Sequence, residues 1–263
     1  MNQIPIPVEI TFVDFKCPHC ANAVSFPDQW IGRAQECPMC SQILIVPKPG
    51  AEVGEKLPIP IKTSRLLLRR LVMTDLNDLL EIVSDEDLVR YQEWYPLDEE
   101  QVQNWLERDQ KVLLSERGYV FYLALELMEQ PKVIGYVALM YTQTDNSEMS
   151  VEMLVNRNYQ RRGFGSEAVS AALEFIFEGL NVRRLCAWCD SRNLAGLRLL
   201  EKAGMRREGQ FIKSKMVKGE WADTVQFALL QEEYESAPNP EMATNNPNQV
   251  VRPRCKTTCS TNI

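Results

Sequence analysis

Residues 151–167 read Val151-Glu-Met-Leu-Val-Asn-Arg-Asn-Tyr-Gln160-Arg-Arg-Gly163-Phe-Gly165-Ser-Glu167, and this stretch decides the fold. It starts as an apolar strand through Val155, turns through a basic segment, meets two glycines and then opens a helical pattern. Gly163 and Gly165 let the backbone come close to a ligand, where a Cβ would obstruct it. The unpaired N–H groups of the helix's first turn would point outward, with the positive end of the macrodipole behind them. Arg161 and Arg162 add positive charge. The pattern is that of a cradle for a phosphate or pyrophosphate. It is not the nucleotide-triphosphate loop, since no glycine-lysine-hydroxyl run follows, nor the dinucleotide fingerprint. A glycine pair also makes a plain tight turn, so the neighbouring elements must decide.

After the turn, Phe164–Phe177 carries one apolar helical face (Phe164, Ala168, Ala172, Ile176, with Val169, Leu173 and Phe177) and Gly179 stops it. Leu185–Trp188 reads as a strand, Leu194–Ala203 as a helix ended by Gly204, and about 206–217 and 221–230 as two closing strands. Before the turn, Tyr119–Leu127 and Val133–Tyr141 form a hairpin pattern split by Glu129, Gln130 and Pro131. Arg65–Leu71 is an opening strand. Thr74 caps a helix with Asp75 and Asp78 in its first turn, and a second helix runs over Asp98–Ser115 after the Pro96 break. The order is strand, two helices, three strands, helix, strand, helix, two strands. It predicts an α+β domain over 62–235 with a mixed, largely antiparallel sheet flanked by helices.

Three motifs, in this order along the chain, resemble the GNAT superfamily of N-acetyltransferases. Thr63-Ser-Arg-Leu-Leu-Leu-Arg69 resembles the opening strand of the branch that acetylates ribosomal-protein N-termini. Gln160-x-x-Gly163-x-Gly165 resembles the acyl-CoA pyrophosphate loop. Asp190-Ser-Arg-Asn193-Leu-Ala-Gly-Leu-Arg198-Leu-Leu-Glu-Lys202-Ala-Gly204 resembles the later strand–helix segment. The likeness spans about 62–232. It implies an enzyme that moves acetyl from acetyl-CoA, its co-substrate, to a primary amine, either a protein N-terminus or a small molecule. By that likeness the strand through Met153, Leu154 and Val155 would pair with the pantetheine arm and polarise the thioester carbonyl through backbone N–H groups. Gln160, Arg161, Arg162, Gly163, Phe164, Gly165 and Ser166 would hold the pyrophosphate, and Asn193 would contact the cofactor arm or a water. Asn193 also suits a plain helix cap. Glu152 is the candidate base, with a solvated or ion-paired strand carboxylate as the alternative; Glu148 and Asp190 stand behind it.

Two departures bear on the chemistry. Where many relatives have a tyrosine acid, this chain has Leu200, and where the ribosomal-protein type has a serine, it has Gly196. A water, or departure of the thiolate unprotonated, would then serve. The rival reading is a non-catalytic acyl-CoA-binding or scaffold module. Trp94-Tyr95-Pro96 could wall the acceptor cleft, and Arg183-Arg184 or Arg206-Arg207 could meet the adenosine 3′-phosphate.

The N-terminal region is a separate problem. Cys17-x-x-Cys20 and Cys37-x-x-Cys40 are two knuckles whose thiolates complete a tetrahedral metal site, so residues 1–46 resemble a zinc ribbon. The residue after each knuckle, often glycine, is here Ala21 and Ser41. Four thiolates leave no open position, which makes the expected Zn²⁺ structural. Residues 47–61 read as a Pro/Gly-rich linker and 236–263, poor in large apolar residues, as a disordered tail. The linker suits a ribbon that recruits a protein partner. Nucleic acid is disfavoured, because Glu9, Asp14, Asp28 and Glu36 outweigh Lys16 and Arg33 in the ribbon and the whole chain carries −7. His19, the single histidine, lies inside a knuckle, which excludes a serine or cysteine triad elsewhere. Cys186 and Cys189 read as core packing, and Cys255 and Cys259 as exposed thiols without a role. No run of about 18 apolar residues exists and the start lacks a signal-peptide pattern, so a cytoplasmic protein without a membrane span is expected.

Overall fold

The computed structural model describes residues 11–31, 34–47, 49, 55–56, 59–112, 118–143 and 147–237. The chain divides into two compact units, Met1–Leu57 and Pro58–Ile263.

The first unit is built from β1 (Phe12–Lys16), β2 (Ala23–Pro27), β3 (Ala34–Glu36), β4 (Ile43–Ile45) and β5 (Glu55–Lys56). β1 and β2 pair antiparallel, and β3-β4-β5 form a second small sheet. Val13, Phe15, Val24, Phe26, Leu44 and Val46 surround the buried Cys17 and Cys37. β5 falls in the stretch that the proline and glycine pattern reads as linker; its residues complete the sheet on β4 instead. The stretch expected to be a disordered tail lies outside the described residues from 238 onward.

The second unit runs β6 (Ile61–Lys62), β7 (Leu66–Arg70), α1 (Leu76–Val83), α2 (Glu99–Asp109), β8 (Phe121–Leu127), β9 (Val133–Tyr141), β10 (Glu148–Val155), α3 (Phe164–Glu174), β11 (Arg184–Asp190), α4 (Leu194–Lys202), β12 (Arg206–Val217), β13 (Glu220–Leu230) and α5 (Gln231–Ser236). One eight-stranded sheet has the order β12-β13-β11-β10-β9-β8-β7-β6. Every neighbouring pair is antiparallel except β10 with β11. The sheet is therefore mixed and largely antiparallel, as the element order predicts. Leu79, Ile82, Val83, Val102 and Leu106 of α1 and α2 bury against Ala124, Tyr136, Ala138 and Leu154 of one sheet face. Gly135 sets how closely β9 and β10 approach: a Cβ there would stand 2.3 Å from Leu154 O.

Some element ends differ from the sequence pattern for local reasons. The chain enters α1 through a 3-10 turn over Met73–Asp75, so Thr74 is not the cap. Asp75 is buried and bound by Arg69 and by the Val72 N–H, so its carboxylate serves tertiary structure. α2 has the full capping box of Asp98 and Gln101 and ends at Asp109. α3 loosens into a π turn over Phe175–Gly179 instead of running on as α-helix. Among the described residues, no helix is long and apolar enough to cross a membrane.

Candidate active site

The site is made by a fork in the sheet. β10 keeps its antiparallel ladder with β9 from Met149 to Val155, yet its parallel ladder with β11 covers only Glu148, Met149 and Ser150. From Val151 onward the backbone edge that faces β11 has no ladder partner among the described residues. Peptide groups left without partners at a sheet edge favour an incoming hydrogen-bonding chain. A cavity of about 510 Å³ opens there, lined by Met153 and by Val169, Asn193, Leu199 and Leu200 from α3 and α4.

The glycine turn stands at the end of this fork. Arg161 and Gly163 take left-handed backbone, at φ 59° and 85°. At Gly163 that conformation is cost-free, whereas Arg161 adopts it despite its Cβ. The two turns aim the N–H groups of Phe164, Gly165 and Ser166 outward as α3 begins; the first intrahelical bond runs from Glu167 N to Gly163 O. A ligand anion would meet three backbone donors at a helix N-terminus. Gly165 is not required by crowding, since a Cβ there would make only ordinary contacts with Met153 and Leu199, at 3.5 Å or more.

Several predicted turn residues have scaffolding duties. Gln160 Nε2 donates to Val155 O at 2.9 Å, tying the turn to β10. The Arg162 guanidinium lies over the Tyr159 ring, and the Phe164 ring lies under Arg65 at 4.4 Å. Leu154 is buried in the core, so only its backbone can face a ligand. The opening motif explains itself here. Glu167, in the first turn of α3, accepts from Thr63 Oγ1 (2.5 Å), Ser64 Oγ (2.8 Å), Arg65 N (2.8 Å) and Arg65 Nε (2.7 Å), while Arg65 Nη1 donates to Arg162 O at 2.9 Å. Residues 63–65 thus clamp the cradle from the far end of the chain. These bonds hold the Glu167 carboxyl below the usual range against its desolvation.

Glu152 sits where two cavities meet. It lines the cavity just described and a second of about 800 Å³ between the sheet and α2, bordered by Trp94, Trp105, Arg108, Tyr122 and Tyr136. The register places Tyr122, Ala138 and Glu152 in one row across β8, β9 and β10. Glu152 keeps wide accessible surface and lines both cavities, among apolar and aromatic neighbours. Desolvation pushes its pKa up, with Lys215 opposing and Glu93 adding. Lys215 and Glu93 are themselves an ion pair. Beside this cavity the buried Asp109 has its pKa pushed up to about 6 by desolvation, against the pull of Arg70.

Asn193 caps α4, its Oδ1 accepting from Gly196 N at 3.0 Å, and it also borders the first cavity, so the cap and a ligand-facing position coincide. The other carboxylates are engaged. Glu148 binds Arg184 and Thr142, which lowers its pKa against desolvation, and Asp190 binds Arg192. Arg184 and Arg206 are likewise committed to Glu148, Glu208 and Glu233. Cys186 and Cys189 are buried thiols raised to about 11 by burial, as core packing requires. Gly196 has a local cause: a Cβ there would stand 2.9 Å from both Cys189 Sγ and Asn193 Nδ2. Trp105, Arg108, Tyr122, Tyr136 and the residue 63–65 clamp escaped the sequence reading. Only the α2 face with Trp105 and Arg108 three apart gave a local signal.

In the first unit, Cys17, Cys20, Cys37 and Cys40 gather their Sγ atoms within 4.8 Å of one another. Two of these separations are 3.8 and 3.9 Å. Sulfurs at about 2.3 Å from a tetrahedral Zn²⁺ stand roughly 3.8 Å apart, so the set fits that ion. Each knuckle repeats the same bonds: Ala21 N to Cys17 O and Ser41 N to Cys37 O, with His19 N and Met39 N donating to Cys17 Sγ and Cys37 Sγ at 3.4 Å. Ala21 and Ser41 carry φ of 59° and 56°, the left-handed position where a glycine would be unstrained.

The comparisons with known proteins agree with this architecture. The family model of the acetyltransferase (GNAT) domain matches residues 65–206. An uncharacterized N-acetyltransferase of Bacillus subtilis, YnaD, is 30% identical over 174 residues, covering 66% of this chain and 98% of that protein. A spermidine N(1)-acetyltransferase of Vibrio cholerae is 23% identical, over 65% of this chain and 96% of its own. A solved GNAT acetyltransferase from Bacillus anthracis superposes with a TM-score of 0.60 at 28% identity, covering 66% of this chain and 99% of that one. The chain therefore belongs to the GNAT acetyltransferase family. With that family it is an acetyl-CoA-dependent acyltransferase of the N-acetyltransferase class.

Proposed function

We propose that the second unit transfers acetyl from acetyl-CoA to a primary amine with Glu152 as the base. The observation that carries this reading is the fork: the β10–β11 ladder stops at Ser150 beside a carboxylate whose proton affinity is raised, on the strand that leads into the glycine turn. In this reading Phe164, Gly165 and Ser166 N–H groups bind the pyrophosphate, with Arg161 and Arg162 adding charge. The free edge of Met153, Leu154 and Val155 holds the pantetheine arm, and Asn193 faces that arm. Acceptor ammonium loses a proton to Glu152, directly or through water. The amine then attacks the thioester carbonyl, the C–S bond breaks, and backbone N–H groups of β10 stabilise the oxyanion. Leu200 and Gly196 offer no proton, so water protonates the thiolate or it leaves as such. The acceptor is a protein N-terminal α-amine by likeness of the opening motif, with small-molecule amines second.

The four cysteines hold one structural Zn²⁺, and the unit around them recruits a protein partner. The sulfur spacing and the closed thiolate shell support the first statement. The second rests on the separate compactness of the unit. Thiol release from acetyl-CoA over a panel of peptides and small amines tests the catalytic reading. Glu152→Gln is expected to lose about 100-fold or more in kcat while still binding acetyl-CoA. Full activity of that variant would remove Glu152 from the role. Cys37→Ser should lower bound zinc and spare acetylation of a small amine while weakening that of a protein; equal losses on both would refute recruitment.

A further inference from the structure

The second cavity has a charge pattern that the transfer chemistry does not require. Glu152 lines it, and Trp94, Trp105 and Tyr122 form apolar walls. Trp105, Tyr122 and Tyr136 pack edge to face, with centroids 4.8 to 5.5 Å apart, which makes that wall rigid. Two bases, Arg108 and Lys111, border the same cavity from the last turn of α2 and the residues after it. Among the described residues neither forms an ion pair. The Arg108 guanidinium is oriented by one bond, Nε to Asn104 O at 3.2 Å, which leaves its Nη groups for another partner. Its place in the cavity lining sets it toward this space, and its charge opposes the rise in the Tyr122 pKa. Glu107, also on the rim, is partnered by Gln103 at 3.1 Å.

We propose that the acceptor is an amine carrying an anionic group, a carboxylate or a phosphate, which Arg108 and Lys111 bind while the ammonium faces Glu152. This rests on the acetyl-transfer reading above. An arginine held by one nitrogen with its terminal pair free suits two-point recognition of a carboxylate or phosphate. A polycation would instead bring further positive charge toward Arg108 and Lys111. The aromatic walls favour an apolar body between the two charged ends.

The test uses the full chain with acetyl-CoA and pairs of acceptors that differ only in the anion. Phenylalanine is compared with phenethylamine, and phosphoethanolamine with ethanolamine; spermidine and a peptide with an acidic second residue complete the set. At least one anionic member should exceed its uncharged partner by about tenfold or more in kcat/KM, and which pair does so identifies carboxylate or phosphate. Arg108→Ala should erase that preference, mainly through KM, and leave the uncharged amine within about twofold. Arg108 is exposed, so the variant should fold, and Lys111→Ala provides an independent second arm. Spermidine or the uncharged amines preferred, with transfer intact, would overturn the inference and leave the transfer reading standing. No turnover on any of these amines with acetyl-CoA still bound by calorimetry would also overturn it. Loss of acetyl-CoA binding by the wild type would overturn the reading beneath.

Discussion

Gly196→Ser introduces a hydroxyl at the third position after Asn193, and by the local packing it should not fit. A Cβ at 196 would lie 2.9 Å from Cys189 Sγ, 2.9 Å from Asn193 Nδ2 and 3.1 Å from Asn193 Cγ. Ordinary carbon contacts run at about 3.5–4.0 Å, so both neighbours must move by roughly half an ångström or more. Neither moves freely. Cys189 is buried on β11, and Asn193 is pinned by its own cap bond to Gly196 N. Overpacking of this kind costs about 1–3 kcal/mol, and replacing glycine in a helix returns roughly 0.5 kcal/mol. The net expectation is a loss of about 1.5 kcal/mol in urea unfolding at neutral pH. Cys189→Ala removes one of the two obstacles, so the double variant should recover about 1 kcal/mol as positive coupling in a double-mutant cycle. Because the displaced Asn193 borders the cavity proposed to take acetyl-CoA, Gly196→Ser should also weaken acetyl-CoA binding. A Gly196→Ser protein as stable as wild type, or strictly additive effects, would refute the packing argument.

Other predictions follow from the same geometry. Burial raises the Glu152 pKa, so the rate should rise with pH through an acidic limb lying above the ordinary carboxylate value of 4.5, and Glu152→Gln should flatten that limb. Asp109 holds its proton more tightly when folded, with a pKa raised from 3.8 to about 6, so its contribution is present at low pH and lost as pH rises between those values. That amounts to about 3 kcal/mol; Asp109→Asn should gain on wild type by that order from pH 4 to 6.5 in urea melts, and a difference independent of pH would count against it. Glu167→Ala removes the acceptor for residues 63–65, and it should raise the acetyl-CoA Kd by about tenfold with little change in overall fold. Ala21→Gly and Ser41→Gly relieve left-handed strain and should each stabilise the cysteine unit by about 0.5–1 kcal/mol, read as resistance to chelator.

Much of this was legible because the decisive signals are local. The turn at 160–166 needs left-handed backbone and free helix donors, and glycine placement reports both. The two cysteine knuckles carry their own spacing, and even the unusual Ala21 and Ser41 point to positions that prove left-handed. The strand and helix order survived because the apolar periodicity of β8, β9, α3 and α4 is strong. What stayed hidden depends on pairs distant in sequence. No local pattern says that Glu167 is bound by residues 63–65, about a hundred positions earlier. The row of Tyr122, Ala138 and Glu152 exists only once the strand register is fixed. Asp75 and Asp78 stand at the start of the helix as the pattern suggests, but the pattern does not reveal that they also bind Arg69 and Lys132. Glycine at 196 looks like the loss of an acid in the sequence, and only the position of Cys189 gives it a steric cause.

The central claim is that the glycine cradle and the fork beyond Ser150 bind acetyl-CoA, and titration calorimetry tests it most directly. Acetyl-CoA titrated into the wild-type chain should bind with about 1:1 stoichiometry, and the Gly163→Glu protein, folded by circular dichroism, should show no measurable heat of binding, because the substitution puts a side chain and a negative charge, beside Arg65, at the left-handed position that opens the cradle. Binding of equal strength by Gly163→Glu, or none by the folded wild type, would contradict the account.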